Sequence, residues 1–448
     1  MFKKYSFKGG IHPPHNKKQT ESLTIEEFAA PDKVIIPLSQ HIGAPAKAVV
    51  KRGDRVCIGQ TIGDAGGFVS APVHSSVSGT VKSVGMFPHP TGKQTMAVEI
   101  ENDGTDEFAP LESFEKPWKE AAPGELIQKI NNCGIVGMGG ATFPTHVKLS
   151  PPSNKPIDTL IINGAECEPY LTADHRLMLE RTEGLLTGAL ITRKILGAKR
   201  CTIAIEDNKA DAIAAISQKL SDPKFKDLSV GVLKSKYPQG GEKQLINAVT
   251  SREVPSGGLP MDIGCVVENV STALAIYDAI IDGKPLYQRV VTITGPLTRT
   301  PKNLLVRIGT PVMNILQACD VDFSMLKKVV TGGPMMGIAL STLDVPVIKS
   351  TSGLLTLDEK TPGIREYPCI NCGKCVKICP MKLIPSRICK YAEKGKLDDA
   401  AEWNLMDCME CGSCTYTCPS KINLVHYIRL GKYQIQAKRA AQNTEQKK

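Results

Sequence analysis

Cys369-Ile-Asn-Cys372-Gly-Lys-Cys375-Val-Lys-Ile-Cys379-Pro380 and Cys408-Met-Glu-Cys411-Gly-Ser-Cys414-Thr-Tyr-Thr-Cys418-Pro419 repeat one pattern, C-x2-C-x2-C-x3-C-P. They hold eight of the fifteen cysteines in 448 residues. Three thiolates at two-residue intervals wrap one corner of a cubane, and the fourth iron needs a more distant ligand. Zinc sites use pairs of CxxC or Cys with His, four ligands per metal, and fit a doubled four-cysteine run poorly. Disulfides need an oxidising compartment, and the N-terminus lacks the long apolar stretch of a signal peptide. The pattern therefore reads as two [4Fe-4S] clusters, and paired clusters serve one-electron transfer.

In two-cluster ferredoxins the fourth cysteine of each run serves the other cluster. The same crossing here assigns Cys369, Cys372, Cys375 and Cys418 to one cluster and Cys408, Cys411, Cys414 and Cys379 to the other. A ferredoxin-like α+β domain is expected over residues 360–425. The remaining cysteines (Cys57, Cys133, Cys167, Cys201, Cys265, Cys319 and Cys389) read as small buried apolar residues. A basic tail, 426–448, follows. The apolar stripe Ile422, Leu424, Val425, Ile428, Tyr433 and Ile435 predicts an amphipathic helix packed on the cluster domain.

Length predicts three or four domains. No run of about 18 apolar residues occurs, so no membrane span is expected. The net charge of +10 gathers at the ends: Lys3, Lys4, Lys8, Lys17 and Lys18, then Lys421, Arg429, Lys432, Lys438, Arg439, Lys447 and Lys448. No nucleic-acid fold motif accompanies it, leaving solvated termini or docking to a membrane complex. Reduced thiols and clusters point to the cytoplasm.

Short apolar pieces punctuated by Gly and Asp, such as Val34-Ile-Ile-Pro-Leu and Val49 to Gly63, predict a hairpin-rich β unit before residue 102. Its wording resembles the lipoyl-type barrel-sandwich fold, so residues 1–122 are read as an N-terminal segment plus that domain. His74-Ser75-Ser76 stands where that fold carries a modifiable lysine, which implies a structural or docking copy. Residues 123–286 alternate strand signals (Ile157–Ile162, Cys201–Ile205, Leu228–Leu233) with helix signals (Ala173–Leu196, Ala210–Leu220). That order predicts a Rossmann-like α/β domain. Residues 287–350 return to β character, with Val290–Thr294, Leu304–Ile308 and a helix Val312–Cys319, and resemble a β-grasp module.

Gly134-Ile-Val-Gly137-Met-Gly139-Gly140-Ala-Thr142-Phe-Pro-Thr-His146-Val-Lys148 is dense in glycine, which frees backbone N–H groups to approach a phosphate or a flat ring. It resembles the G-x-G-G-A-G-F-P-T-G-x-K loop of the flavoprotein subunit of respiratory complex I. Asn163-Gly-Ala-Glu166-Cys-Glu168-Pro resembles that family's N-A-D-E-S-E-P. Gly241-Glu242 and Glu268-Asn269-Val-Ser-Thr272 resemble its G-E-E-T and N-N-V-E-T. The resemblance implies an FMN cradle at Gly137, Gly139 and Gly140, and a cation from Lys148. It implies a ring or ribityl contact from Asn163, and phosphate contacts from Asn269 and Thr272. Glu166, Glu168 and Glu242 would line the nicotinamide side. The chain departs from the family at Met138, Thr142, His146, Ala165 and Glu268.

Phe7-Lys-Gly9-Gly10-Ile-His12-Pro-Pro completes the order of parts. The whole chain resembles the C subunits of Rnf ion-translocating complexes, which exchange electrons between ferredoxin and NAD and pump sodium or protons. The resemblance implies a peripheral subunit on the cytoplasmic face of the cell membrane. Its partners would be the other subunits of a redox-driven ion pump, ferredoxin-like carriers and NADH. Two alternatives stay open: a cobalamin reductase of the same architecture, and a flavin-free electron-relay scaffold.

Overall fold

The computed structural model describes residues 4–111, 114, 116–358 and 365–445, so Lys3, Lys447 and Lys448 lie outside the described residues. The central element is a five-stranded, wholly parallel sheet. Its order is Lys4–Tyr5, Leu228–Leu233, Arg200–Glu206, Thr159–Gly164 and Cys265–Asn269. The apolar run of Thr159–Gly164 is almost wholly buried, as befits a parallel strand covered on both faces. The expected helix Ala173–Leu196 divides into Ala173–Glu180 and Thr182–Leu196, broken at Arg181. The second piece stops where Gly197 turns left-handed at φ 61°. It crosses Val270–Ile281 so closely that a Cβ on Gly188 would stand 1.8 Å from the Ala273 carbonyl oxygen.

Two small sheets form the β unit before residue 102. One contains Lys33–Pro37, Gln94–Asn102, Gly79–Pro88 and Arg55–Val56; the other contains Lys47–Ala48, Thr61–Asp64 and Val73–His74. His74, Ser75 and Ser76 are buried. The Ser76 hydroxyl donates to the Ile308 carbonyl, and Arg307 donates to the Ser76 carbonyl. That turn is a seam between modules.

A third, mixed sheet runs Ile338–Ala339, Lys328–Thr331, Gly353–Leu357, Gln288–Thr294, Lys302–Arg307 and Ile25–Glu27, with helix Val312–Ala318 beside it. The N-terminal segment thus serves three bodies. Lys4–Tyr5 extends the parallel sheet and Ile25–Glu27 pairs with Lys302–Arg307, while only the strands from Lys33 onward build the β unit. Neither pairing of the N-terminal segment shows in a local pattern, because each joins residues more than 200 positions apart.

The α+β expectation for the cluster domain is overturned. Every regular element described between 365 and 445 is helical: Lys374–Ile378, Pro385–Glu393, Leu397–Glu402, Leu405–Asp407, Ser413–Thr417 and Leu424–Glu445. The segment between the cysteine runs forms amphipathic helices around Ile388, Cys389, Ala392 and Ala400. The last helix buries Leu424, Ile428 and Ile435 against them, while Tyr433 stays exposed.

Candidate functional site: a crevice at the strand ends beside a cysteine cage

In open parallel sheets ligands bind beyond the carboxyl ends of the strands, where the connection order reverses. Here the reversal falls between Thr159–Gly164 and Cys265–Asn269, whose ends place Asn163 and Asn269 as direct partners. The Asn163 amide donates to the Gly240 carbonyl at 2.9 Å, and its oxygen accepts from Ala165 N–H. Asn269 caps helix Val270–Ile281 by accepting from Ser271 N–H at 2.8 Å, and its amide donates to Asp174. Asp174 is half-buried, and the loss of solvent around it lifts its carboxyl to about 6.

The glycine loop folds over this crevice. Gly137 N–H bonds the Phe143 carbonyl and Met138 N–H bonds the buried Thr272 hydroxyl at 2.9 Å. A Cβ on Gly139 would stand 2.7 Å from the Asn269 side chain, whereas one on Gly140 would meet open space. Lys148 bonds the Val267 carbonyl and pairs with Glu242 at 3.1 Å and Glu268 at 4.0 Å. Burial works to lower the Lys148 pKa, but Glu268 and Glu242 outweigh it and the net shift is upward. Glu268 is buried, which raises its pKa, and its Oε1 has no hydrogen-bond partner among the described residues. Both amide atoms of Gln239 and Oε1 of Gln244 are also unpartnered. Exposed glycine backbone, one cation and unpartnered buried polar atoms suit a flat, polar-edged cofactor.

Glu166 and Glu168 turn inward. Glu166, left-handed at φ 45°, accepts from Asp174 and His175 N–H. Glu168 accepts from Met335 and Met336 N–H, and burial raises its pKa. Lys17 reaches their loop from the N-terminal segment and donates to the carbonyls of Glu166, Glu168 and Leu171. Beside them opens a cleft lined by His15, Lys18, Tyr170, His175, Asn208 and Lys209. Sequence reading missed Lys17, Asp174 and Tyr237 as site residues. The Gly-Gly-Ile-His-Pro-Pro start was the available signal for Lys17; Asp174 and Tyr237 carried none.

The structure brings Cys379, Cys408, Cys411 and Cys414 around one cavity, three from the second run and one from the first. Burial pushes all four thiols up, Cys408 to about 11. Iron would supply the charge that holds them as thiolates. No three Cys, His, Asp or Glu side chains among the described residues converge as around a single ion. A cubane keeps its thiolates apart, so the cavity suits a cluster better than one zinc. Cys369 and Cys372 are exposed, while Cys375 and Cys418 are half-buried. The two runs repeat in backbone as well as sequence. Asn371 and Glu410, Gly373 and Gly412, and Lys382 and Lys421 are left-handed in matching pairs. Helices Lys374–Ile378 and Ser413–Thr417 each end on the fourth cysteine. Arg429 and Lys432, from the basic tail read as solvated or docking, clamp the second run. Both pair with Glu410, and Lys432 donates to the Cys408 carbonyl at 2.6 Å.

This cage adjoins the crevice. The Tyr237 hydroxyl donates to the Cys411 carbonyl at 2.8 Å and lies 3.5 Å from Glu168. Gln244 donates to the Pro380 carbonyl at 3.4 Å, and Met409 packs on Gly241.

Residues 130–278 match the model of the Nuo51 FMN-binding domain, 5–105 the RnfC barrel sandwich hybrid domain, and 368–422 the 4Fe-4S dicluster domain. The chain is 49% identical over 427 residues to the C subunit of the proton-translocating ferredoxin:NAD(+) oxidoreductase complex of Clostridium ljungdahlii, covering 95% of this chain and 93% of that one. It is 48% identical to the Na(+)-translocating counterpart of Acetobacterium woodii, covering 98% and 99%. A chain of a solved NAD+-reducing [NiFe]-hydrogenase shares the fold at TM-score 0.50 and 19% identity, over 71% of this chain and 63% of that one.

Proposed function

The chain belongs to the family of C subunits of ion-translocating ferredoxin:NAD(+) oxidoreductase complexes, and on that premise we propose how its parts divide the work. It is an electron-transfer subunit with FMN and two [4Fe-4S] clusters, and its partners include ferredoxin, NAD and the other subunits of the complex. FMN supplies the exchange between a two-electron hydride and the single electrons that a cubane accepts.

The strand-end crevice supports holding FMN between the Gly137–Gly140 backbone and the Asn163–Asn269 pair. Lys148 supplies the cation, and Asn269 and Thr272 offer the helix start to the phosphate. The basic cleft beside Glu166 supports entry of an anionic nucleotide, with His15 and Lys18 on its wall. Glu166 and Glu168 act by fixing the loop beneath it; Glu242 balances Lys148. No side chain is assigned as a general base.

The observation that carries the reading is the contact between the cage of Cys379, Cys408, Cys411 and Cys414 and the segment Tyr237–Gln244. It makes that cluster the inner station. The cage of Cys369, Cys372, Cys375 and Cys418, with Tyr367 and Ile370 exposed beside it, is the outer station facing a carrier. No helix among the described residues is long and apolar enough to cross a membrane, so attachment falls to partner subunits, on the cytoplasmic face in this proposal. The third sheet is assigned as β-grasp: Gln288–Thr294 pairs antiparallel with Lys302–Arg307 and parallel with Gly353–Leu357, with one helix between. A visible spectrum of the iron-loaded chain tests the function. A flavin band that NADH bleaches is expected; clusters without flavin uptake would leave the relay-scaffold reading.

A further inference from the structure

The Gly9-Gly10-Ile11 segment lies against Ile378 on the cage side and Tyr237 on the crevice side. It begins at Lys4–Tyr5, hydrogen-bonded into the parallel sheet. Phe7 anchors it: the ring is buried, Lys236 Nζ lies 4.2 Å from its centroid, and the same amine donates to the Phe7 carbonyl at 2.7 Å. Then the backbone turns left-handed twice, at φ 93° for Gly9 and 81° for Gly10. Gly10 N–H donates to the Ile378 carbonyl at 2.8 Å, one residue before the cage ligand Cys379. Ile11 exchanges two 2.8 Å backbone bonds with Tyr237, whose hydroxyl holds the Cys411 carbonyl.

The segment therefore grips the cage from the Cys379 side and steadies the tyrosine that grips it from the Cys411 side. Both glycines are obligatory at this separation. A Cβ on Gly9 would meet the carbonyl oxygens of Ile378 and Cys379 at 3.0 and 3.1 Å, and one on Gly10 the Tyr237 carbonyl oxygen at 2.7 Å. These are backbone atoms, which cannot swing aside as a flexible side chain can, so an added methyl must move the cage, Tyr237 or the strap itself.

We propose that Gly9–Gly10 is a positioning strap that sets the distance between the inner cluster and the flavin crevice. It rests on the reading of the crevice as the flavin site. The strap acts on placement alone: one electron at a time crosses between the crevice and the cage, and no bond is made or broken at the glycines. Tyr237 ties the two ends together, since Gly240, three residues on, accepts from Asn163 in the crevice.

The test compares Gly9→Ala and Gly10→Ala with Gly53→Ala in the full, cluster-loaded chain. Gly53 has φ 94° but nothing within 4 Å of its would-be Cβ, so its variant carries the same backbone strain without the contact. With flavin and iron content matched, stopped-flow mixing with NADH should bleach the flavin at the unmodified rate in all three. Cluster reduction should slow by roughly tenfold in the two strap variants only, because ångström-scale misplacement is costly where function depends on distance. Amide exchange at Gly10, Ile11 and Tyr237 should quicken in the same two, a readout independent of flavin. Strap variants with unmodified cluster reduction and exchange overturn the proposal. Unmodified chain whose flavin NADH fails to bleach sinks the flavin reading instead. If Gly10→Ala cannot hold clusters, the looser Gly9→Ala contact decides.

Discussion

Lys349 sits where three modules meet, fully buried, with its amine donating to the Pro72 carbonyl at 3.0 Å and the Gly134 carbonyl at 2.7 Å. Its own carbonyl accepts from Arg289. Burial without a carboxylate drives its pKa down to about 7, although Cys133 pulls slightly the other way. Between about 7 and the ordinary lysine value of 10.5 the unfolded chain binds the extra proton, so this residue's contribution to stability rises with pH across that window and is lost as pH falls toward 7. Melting temperature should therefore climb from pH 7 to pH 9, and the slope should shrink in Lys349→Met. At the upper end the substitution should cost about 1–3 kcal/mol, because two buried carbonyls lose their donor. An unchanged slope in Lys349→Met would contradict the assignment. Nothing local in the sequence marks Lys349 as buried: it follows Val345-Pro-Val-Ile, and the two acceptors of its amine lie more than 200 residues away.

The glycine loop and the strand ends form one element, and its prediction is steric. A methyl on Gly139 must displace Asn269, which caps helix Val270–Ile281 and donates to Asp174. Losing such a cap costs about 1 kcal/mol. Gly139→Ala should therefore purify with less FMN and unfold earlier by that amount in urea, while Gly124→Ala, outside the loop in helix Pro123–Asn132 and facing open space, should keep its FMN. Equal FMN in the two variants would argue against a flavin lying on this loop. The loop and three of the parallel strands were legible because glycine density and buried apolar runs are local signals. Cys265–Asn269 was not, since only Cys-Val-Val precedes the polar Glu268 and Asn269. Its place at the crevice comes from pairing with Thr159–Gly164, about a hundred residues earlier in sequence. The inward turn of Glu166 and Glu168 was equally hidden: an exposed carboxylate and one capping a buried backbone turn read alike until the fold brings Asp174 and Met335 to them.

On the scale of the whole molecule, the proposed path runs from a nucleotide cleft through the strand-end crevice and the inner cage to the exposed cage. The repeat of the cysteine runs was readable because cluster ligation fixes spacing tightly. Which cage faces inward was not, because the contact of Cys411 with Tyr237 joins residues 174 positions apart. The same gap between local pattern and long-range packing made a helical cluster domain look α+β. The most direct measurement is an NADH titration of the iron-loaded, FMN-loaded chain, followed by absorbance and EPR, in the unmodified protein and in Cys372→Ser. The account predicts flavin bleaching and reduction of both clusters in the unmodified chain, and reduction of the remaining inner cluster in Cys372→Ser. Failure of NADH to reduce any centre in the unmodified chain would contradict it.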